Sequence, residues 1–229
     1  MASSKQPFEI RVIFSKRKTI ELRFADTNTL IIKAPKHTSK ERIAEVLQLK
    51  KAWIEKARRH VVERLPNPQL KEGENILFLG KWHQIKLDKT LNKGFDLSQP
   101  GFIRLNPTLA QKGNHVLISV YRQTSRQLVE EYCHHYARKW QLDIGTIRIT
   151  SAKTRWGSCS QKNNLNFSWR LAMTPKITIE YVVAHECAHL VHRNHSKAFW
   201  QFLKQMMPHY EEGRQWLRKN GHKLPLLDD

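Results

Sequence analysis

The chain has 229 residues, enough for one or two compact domains and too few for three independent units. A hydrophobic share of 40%, with nine Gly and nine Pro, excludes a disordered, collagen-like or mucin-like chain. Forty Lys plus Arg against twenty Asp plus Glu leave a formal charge of +20, which favours anionic partners such as nucleic acid or nucleotides. Basic residues nevertheless lie on both sides of residue 115 with no block of five, a pattern that also describes a solvated basic surface.

The opening segment MASSKQPFE has no apolar h-region, and no stretch approaches the roughly 18 apolar residues of a membrane span, so a cytoplasmic protein with no membrane partner is expected. Ile20, Leu22 and Phe24 alternate with Glu21 and Arg23, and Leu30, Ile31 and Ile32 precede Pro35, which reads as a short β-meander. Thr38 with Glu41 is a capping-box signature. It opens one helix with Ile43, Val46, Leu47, Trp53, Ile54, Ala57 and Val61 at helical spacing, ending before Pro66. Ile76 to Leu79 and Trp82 to Leu87, split by Gly80, suggest a bent strand pair.

From near Val120 a second helix places Leu128, Tyr132, Tyr136 and Trp140 on one stripe, and Gly145 releases it. Ile147 and Ile149 form a strand. Leu165, Phe167, Trp169 and Leu171 alternate with Asn166, Ser168 and Arg170 after an Asn163, Asn164 turn, a β-hairpin signal. Pro175 precedes a helix from about Thr178 to Val191, Ser196 caps another carrying Phe199, Trp200, Leu203 and Met206, and a last short helix ends at Asn220 and Gly221. The fold class read from this order is α+β: a β-rich N-terminal domain with one long helix over residues 1–115 and a C-terminal domain over 116–229, with the seam near 107–117.

His185, Glu186, Cys187, Ala188 and His189 spell HExxH. Four residues on a helix separate the two His by about 40° and about 6 Å along the axis, so both imidazoles can grip one metal ion from one face. Apolar neighbours Tyr181 to Ala184 and Leu190, Val191 mark a buried helix, in which two His and a Glu are costly without a metal or matching hydrogen bonds. Zinc in a hydrolytic site takes three protein ligands and leaves a fourth position for water. His195, six residues after His189, is the leading third ligand, with His192, Glu211 and Glu212 as the alternatives. A straight helix would carry His195 to the far side, so the helix must end first, and Asn194 suits a left-handed terminator. Glu186 is the candidate base that takes a proton from the attacking water. Met206 and Met207 read as core on a stripe with Phe199 and Leu203. Cys133, Cys159 and Cys187 are an odd number with no CxxC, as in a reducing compartment.

The segments TRWGSCS from Thr154, LNFSWRL, YVVAHECAHL and NHSKAFW from Asn194 resemble the YgjP-like metallopeptidase family, related to SprT-like and other minimal zincins. The resemblance implies a Zn²⁺ site on His185, His189 and His195 with catalytic Glu186, and hydrolysis of peptides or, under a second label the family has carried, pyrophosphatase action on UTP. Cys187 stands where Leu is common and is not expected to bind the metal. Lys153, Arg155 and Trp156 are candidate substrate-binding residues: the strand beside the motif helix lines a zincin cleft, and Arg155 suits a carboxylate or phosphate. Trp156 with Gly157 reads equally well as a packing corner. Tyr210 is a further candidate, as an oxyanion donor. A nucleic-acid-associated SprT-like protease is the remaining alternative, on charge alone.

Overall fold

The computed structural model describes residues 8–91 and 94–227, and the chain divides into two compact units, Met1–Leu65 and Pro66–Asp229. The first unit holds strands β1 (Glu9–Ser15), β2 (Glu21–Phe24) and β3 (Thr29–Pro35), then helices α1 (Lys40–Leu49) and α2 (Lys51–Val62). The strands are not a meander. β3 lies in the middle, parallel to β1 and antiparallel to β2. That position explains its apolar run, because Leu30, Ile32 and Ala34 are fully buried. The single helix expected up to Pro66 is broken at Lys50, whose φ of −100° and ψ of 10° lie in the sparsely allowed bridge region. Ile43 and Ile54, on either side of the break, both pack with Leu30 and Ile32, while Trp53 stays exposed. Ser39 rather than Thr38 caps α1, its Oγ accepting from the Arg42 N–H at 3.2 Å.

The second unit begins with β4 (Asn75–Phe78), β5 (Lys81–Leu87), β6 (Phe95–Asp96) and β7 (Phe102–Leu105), ordered β4-β5-β7-β6. Leu79 and Gly80 form the two-residue β4–β5 turn with φ of 48° and 76°, both positive, as a tight hairpin matched to strand twist requires. A Cβ on Gly80 would lie 2.5 Å from Pro175 Cγ. The short helix α3 (Pro107–Ala110) leads into α4 (Asn114–Trp140), which starts six residues before Val120 and ends at left-handed Gln141 instead of Gly145. The seam expected at 107–117 is therefore displaced to Leu65/Pro66. Its physical reason is that the β4–β7 sheet is bonded into the C-terminal half: Leu79 N–H donates to the Ala172 carbonyl at 2.7 Å, and Tyr121 Oη to the Leu77 carbonyl at 2.7 Å.

Next come β8 (Ile147–Thr150), β9 (Gly157–Cys159) and β10 (Leu165–Ser168), ordered β8-β10-β9, with β10 antiparallel to β9 across the expected hairpin and parallel to β8. The alternation to Leu171 overstates this strand. A 3₁₀ turn, Trp169–Met173, begins where Ser168 Oγ accepts from the Arg170 N–H. Arg170, expected on a solvent face, is 3% exposed, lies 4.1 Å over the Trp169 ring and donates to the carbonyls of Ser151 and Leu227. Helices α5 (Lys176–Ala188), α6 (Lys197–Met206) and α7 (Tyr210–Asn220) complete a mixed α+β fold. The core joins Leu128, Val129 and Cys133 of α4 with Phe167, Val183, Ala184, Cys187, Phe199 and Leu203; Met206 and Met207 belong to it as well. No helix among the described residues is long and apolar enough to cross a membrane.

Candidate metal centre and active site

Helix α5 carries the motif on its last turn. It ends at Ala188 rather than Val191, with His189 as its C-cap, and the following bonds tighten to i−3: Leu190 N–H to the Cys187 carbonyl, Val191 N–H to that of Ala188. The helix stops six residues before Asn194, which is not left-handed. Asn194 acts through its side chain instead, Oδ1 accepting from the Ser196 N–H at 3.3 Å. This early unwinding brings His195 back over the motif face.

His185, His189 and His195 form one cluster whose potential ligand atoms all lie within 4.8 Å of each other. The Nε2 atoms of His185 and His195 are 2.9 Å apart, and His189 Nδ1 is 3.0 Å from the His192 carbonyl, which leaves its Nε2 to face the other two. A bond from the far ring nitrogen to a carbonyl is how ligand imidazoles are commonly oriented. Burial, with the neighbouring His and Arg214 adding to it, pushes His185 down to about 3, and burial lowers His189 as well. Neutral imidazoles are the form that ligates, so the donor set fits a borderline divalent ion such as Zn²⁺ in a site with an open position. The alternatives sit elsewhere: Glu211 pairs with Arg214 at 2.8 Å, Glu212 faces His209 at 3.8 Å, and His192 contributes its carbonyl while its ring packs on Phe202. Cys187 is fully buried in the core, in contact with Cys133.

Glu186 is 7% exposed. Burial pushes its carboxyl up to about 7, opposed by the positive charge of Arg155 and by a hydrogen bond from the Cys159 N–H. A carboxylate held there is matched to proton transfer near neutrality. The bond follows from strand alternation. Ser160 N–H and the Trp156 carbonyl pair inward with Asn164 and Ser168, so Gly157 and Cys159 present their backbone groups to the other edge, where Glu186 lies. Gly157 permits the approach: a Cβ there would come 2.6 Å from both Cγ and Oε1 of Glu186.

Beside His185 and Glu186 opens a cavity of about 400 Å³, part of it open to solvent, lined by Trp156, Gly157, Tyr181, Val182 and Leu217. Trp156 is thus both a cavity wall and a packing corner, its indole lying where a Cβ on Gly221 would meet Cζ2 at 3.1 Å. Lys153 and Arg155 are exposed at the start of this turn, and Arg155 makes no ion pair or hydrogen bond among the described residues. Tyr210 stacks between Tyr181 and Trp200. The sequence reading did not pick out Tyr181, Leu217 or Arg214 for the site, and it named Gly157 only with Trp156 as a packing corner. Only Gly157, inside TRWGSC, carried a local signal, since a glycine in a strand marks close approach of another group.

A three-His cluster able to hold a metal ion, with a buried carboxylate one residue from its first histidine, on an α+β frame, is the arrangement expected of a metal-dependent hydrolase. The chain belongs to the YgjP-like family: the family described as "YgjP-like, metallopeptidase domain" matches residues 18–220. It is a metal-dependent hydrolase of the peptidase type. No curated protein matches it. Among solved structures it resembles the metallopeptidase zymogen of Pyrococcus abyssi abylysin, at 20% identity over 42% of this chain and 98% of that one, with a TM-score of 0.37.

Proposed function

We propose that the protein is a zinc-dependent peptidase in which His185, His189 and His195 hold the ion and Glu186 is the general base. The observation that carries this reading is the convergence of the three imidazoles with the buried Glu186 carboxylate beside them. A bound zinc ion supplies Lewis acidity to the attacking water and to the substrate carbonyl. Glu186 orients that water, takes its proton and returns it to the leaving amine. Trp156 and Gly157 wall the cleft beside Glu186, where an extended peptide lies with its scissile carbonyl near the three imidazoles. The cavity between Trp156 and Leu217 then receives an apolar side chain of the substrate.

A second reading, hydrolysis of a nucleoside triphosphate such as UTP at the same centre, is favoured by charge. Arg155 acts on Glu186, Arg193 on His189 and Arg214 on His185, so three guanidinium groups bear on the site. Arg155, exposed and with neither hydrogen bond nor ion pair among the described residues, is positioned for an anionic substrate group. The test is turnover of a mixed peptide library and of UTP by the zinc-loaded full chain and its Glu186→Gln variant. Peptide cleavage lost by about 10²-fold or more, with zinc content retained, supports the first reading. UTP hydrolysis lost in its place supports the second, and peptide cleavage unaffected by Glu186→Gln refutes the assignment of the base.

A further inference from the structure

An imidazole that binds a metal through Nε2 needs a second restraint on its ring plane. His189 has one, the His192 carbonyl. The other two do not obtain it from hydrogen bonds among the described residues. His185 Nδ1 is buried with no partner, and the hydrogen bond of His195 runs through Nε2 to His185. His195 is moreover exposed, on the segment between α5 and α6.

What these rings meet is aromatic carbon. Phe199, fully buried, covers the cluster from one side, its ring centroid 5.0 Å from that of His185, 4.6 Å from His189 and 4.9 Å from His195. Trp200 stacks on His195 at 5.7 Å and 28° and meets His185 edge-on at 6.1 Å. The indole is held in turn by the Arg214 guanidinium, 4.5 Å over its ring, and by Tyr210 stacked at 5.9 Å. The backbone fixes the pair as well, because Ser196 Oγ accepts from the Phe199 N–H and so caps the turn that follows His195 directly. Ring contacts of this kind favour offset-stacked and edge-to-face arrangements over others, so they restrain ring planes as well as bury carbon.

We propose that Phe199 and Trp200 are the positioning residues of the metal centre: they set the ring planes of His185 and His195 that hydrogen bonds leave unset, and thereby the metal affinity. The inference rests on the three-His cluster alone and stands whatever the substrate.

The test is zinc affinity of the intact chain, by competition with a chromogenic chelator at neutral pH, beside thermal unfolding of the metal-free protein. Trp200→Leu and Phe199→Leu are expected to weaken zinc binding by about tenfold or more, the scale of losses seen when groups that orient metal ligands are removed. Trp200→Tyr, which keeps a stacking ring, should stay close to wild type. Leu203→Ala supplies the comparison, since Leu203 is equally buried on α6 but makes no ring contact with the cluster. It should lower the unfolding temperature and leave zinc affinity unchanged. With Co²⁺ in place of zinc, Trp200→Leu should alter the visible ligand-field spectrum, which a purely stabilising role would not move. The proposal is overturned if Trp200→Leu binds zinc as wild type does, or if Leu203→Ala weakens binding as much. Should Phe199→Leu fail to fold, the half-buried Trp200 decides.

Discussion

Gly157→Ala places one methyl group against the Glu186 carboxylate. Its Cβ would lie 2.6 Å from Cγ and Oε1 of Glu186 and 2.9 Å from Cδ, where ordinary carbon contacts begin near about 3.5 Å. Gly157 has no positive φ, so alanine meets no backbone strain, and the whole effect passes through the contact. The side chain of Glu186 must retreat by about 1 Å, and a misplacement of that size in a reacting group costs on the order of 10²-fold in rate. Overpacking a strand against a side chain that can yield destabilises by about 1–3 kcal/mol, hence about 2–12 °C in Tm for a chain of this size. The expected outcome is a near-inactive, folded protein with its metal retained, measured as kcat/KM on a cleaved peptide, metal content by mass spectrometry and Tm by calorimetry. Gly213→Ala makes the contrast. Its Cβ would meet the Ile177 carbonyl oxygen at 2.7 Å, a backbone atom that cannot step aside, so stability falls first. Activity of Gly157→Ala within threefold of wild type would refute the geometry assigned to Glu186.

Three further outcomes follow from the same structure. His195→Ala should lose the metal while Glu211→Ala and Glu212→Ala keep it, measured on dialysed protein; metal kept by the His195 variant and lost by a Glu variant would move the third ligand. Arg155→Ala should lower turnover of an anionic substrate more than that of a neutral one without changing Tm, because Arg155 is exposed and makes no hydrogen bond or ion pair among the described residues; equal loss on all substrates with a lower Tm would make it a packing residue. Asp88 is held down to about 2 by its hydrogen bonds with Thr90 and with Arg104. A carboxyl whose folded value is depressed stabilises the fold above its unfolded value near about 3.9, and this is lost as pH falls toward 2. Asp88→Asn should therefore flatten the fall of Tm between pH 4 and 2, and an unchanged slope would show that the contact contributes nothing.

Local order alone determined much of this protein. HExxH needs only the helical repeat to aim two imidazoles at one point, the Asn163, Asn164 turn needs only its neighbours to reverse the chain, and Ser196 needs only the next three residues to cap α6. The tertiary structure decided the rest. Whether His195, Glu211 or Glu212 completes the cluster depends on where α5 unwinds and how α7 packs, and neither is written in a short window. The seam moved to Leu65/Pro66 because bonds between the β4–β5 turn and residues 172–173 span nearly a hundred positions. Arg170 follows a solvent-facing alternation yet is buried, since the carbonyls of Ser151 and Leu227 wait for it across the fold. Glu186 owes its raised pKa to burial under a strand that a missing Cβ at Gly157 lets approach. Periodicity and turn chemistry act over a few residues, whereas desolvation, close packing and the convergence of ligands depend on which distant segments share a volume, and that is settled only when the chain is folded.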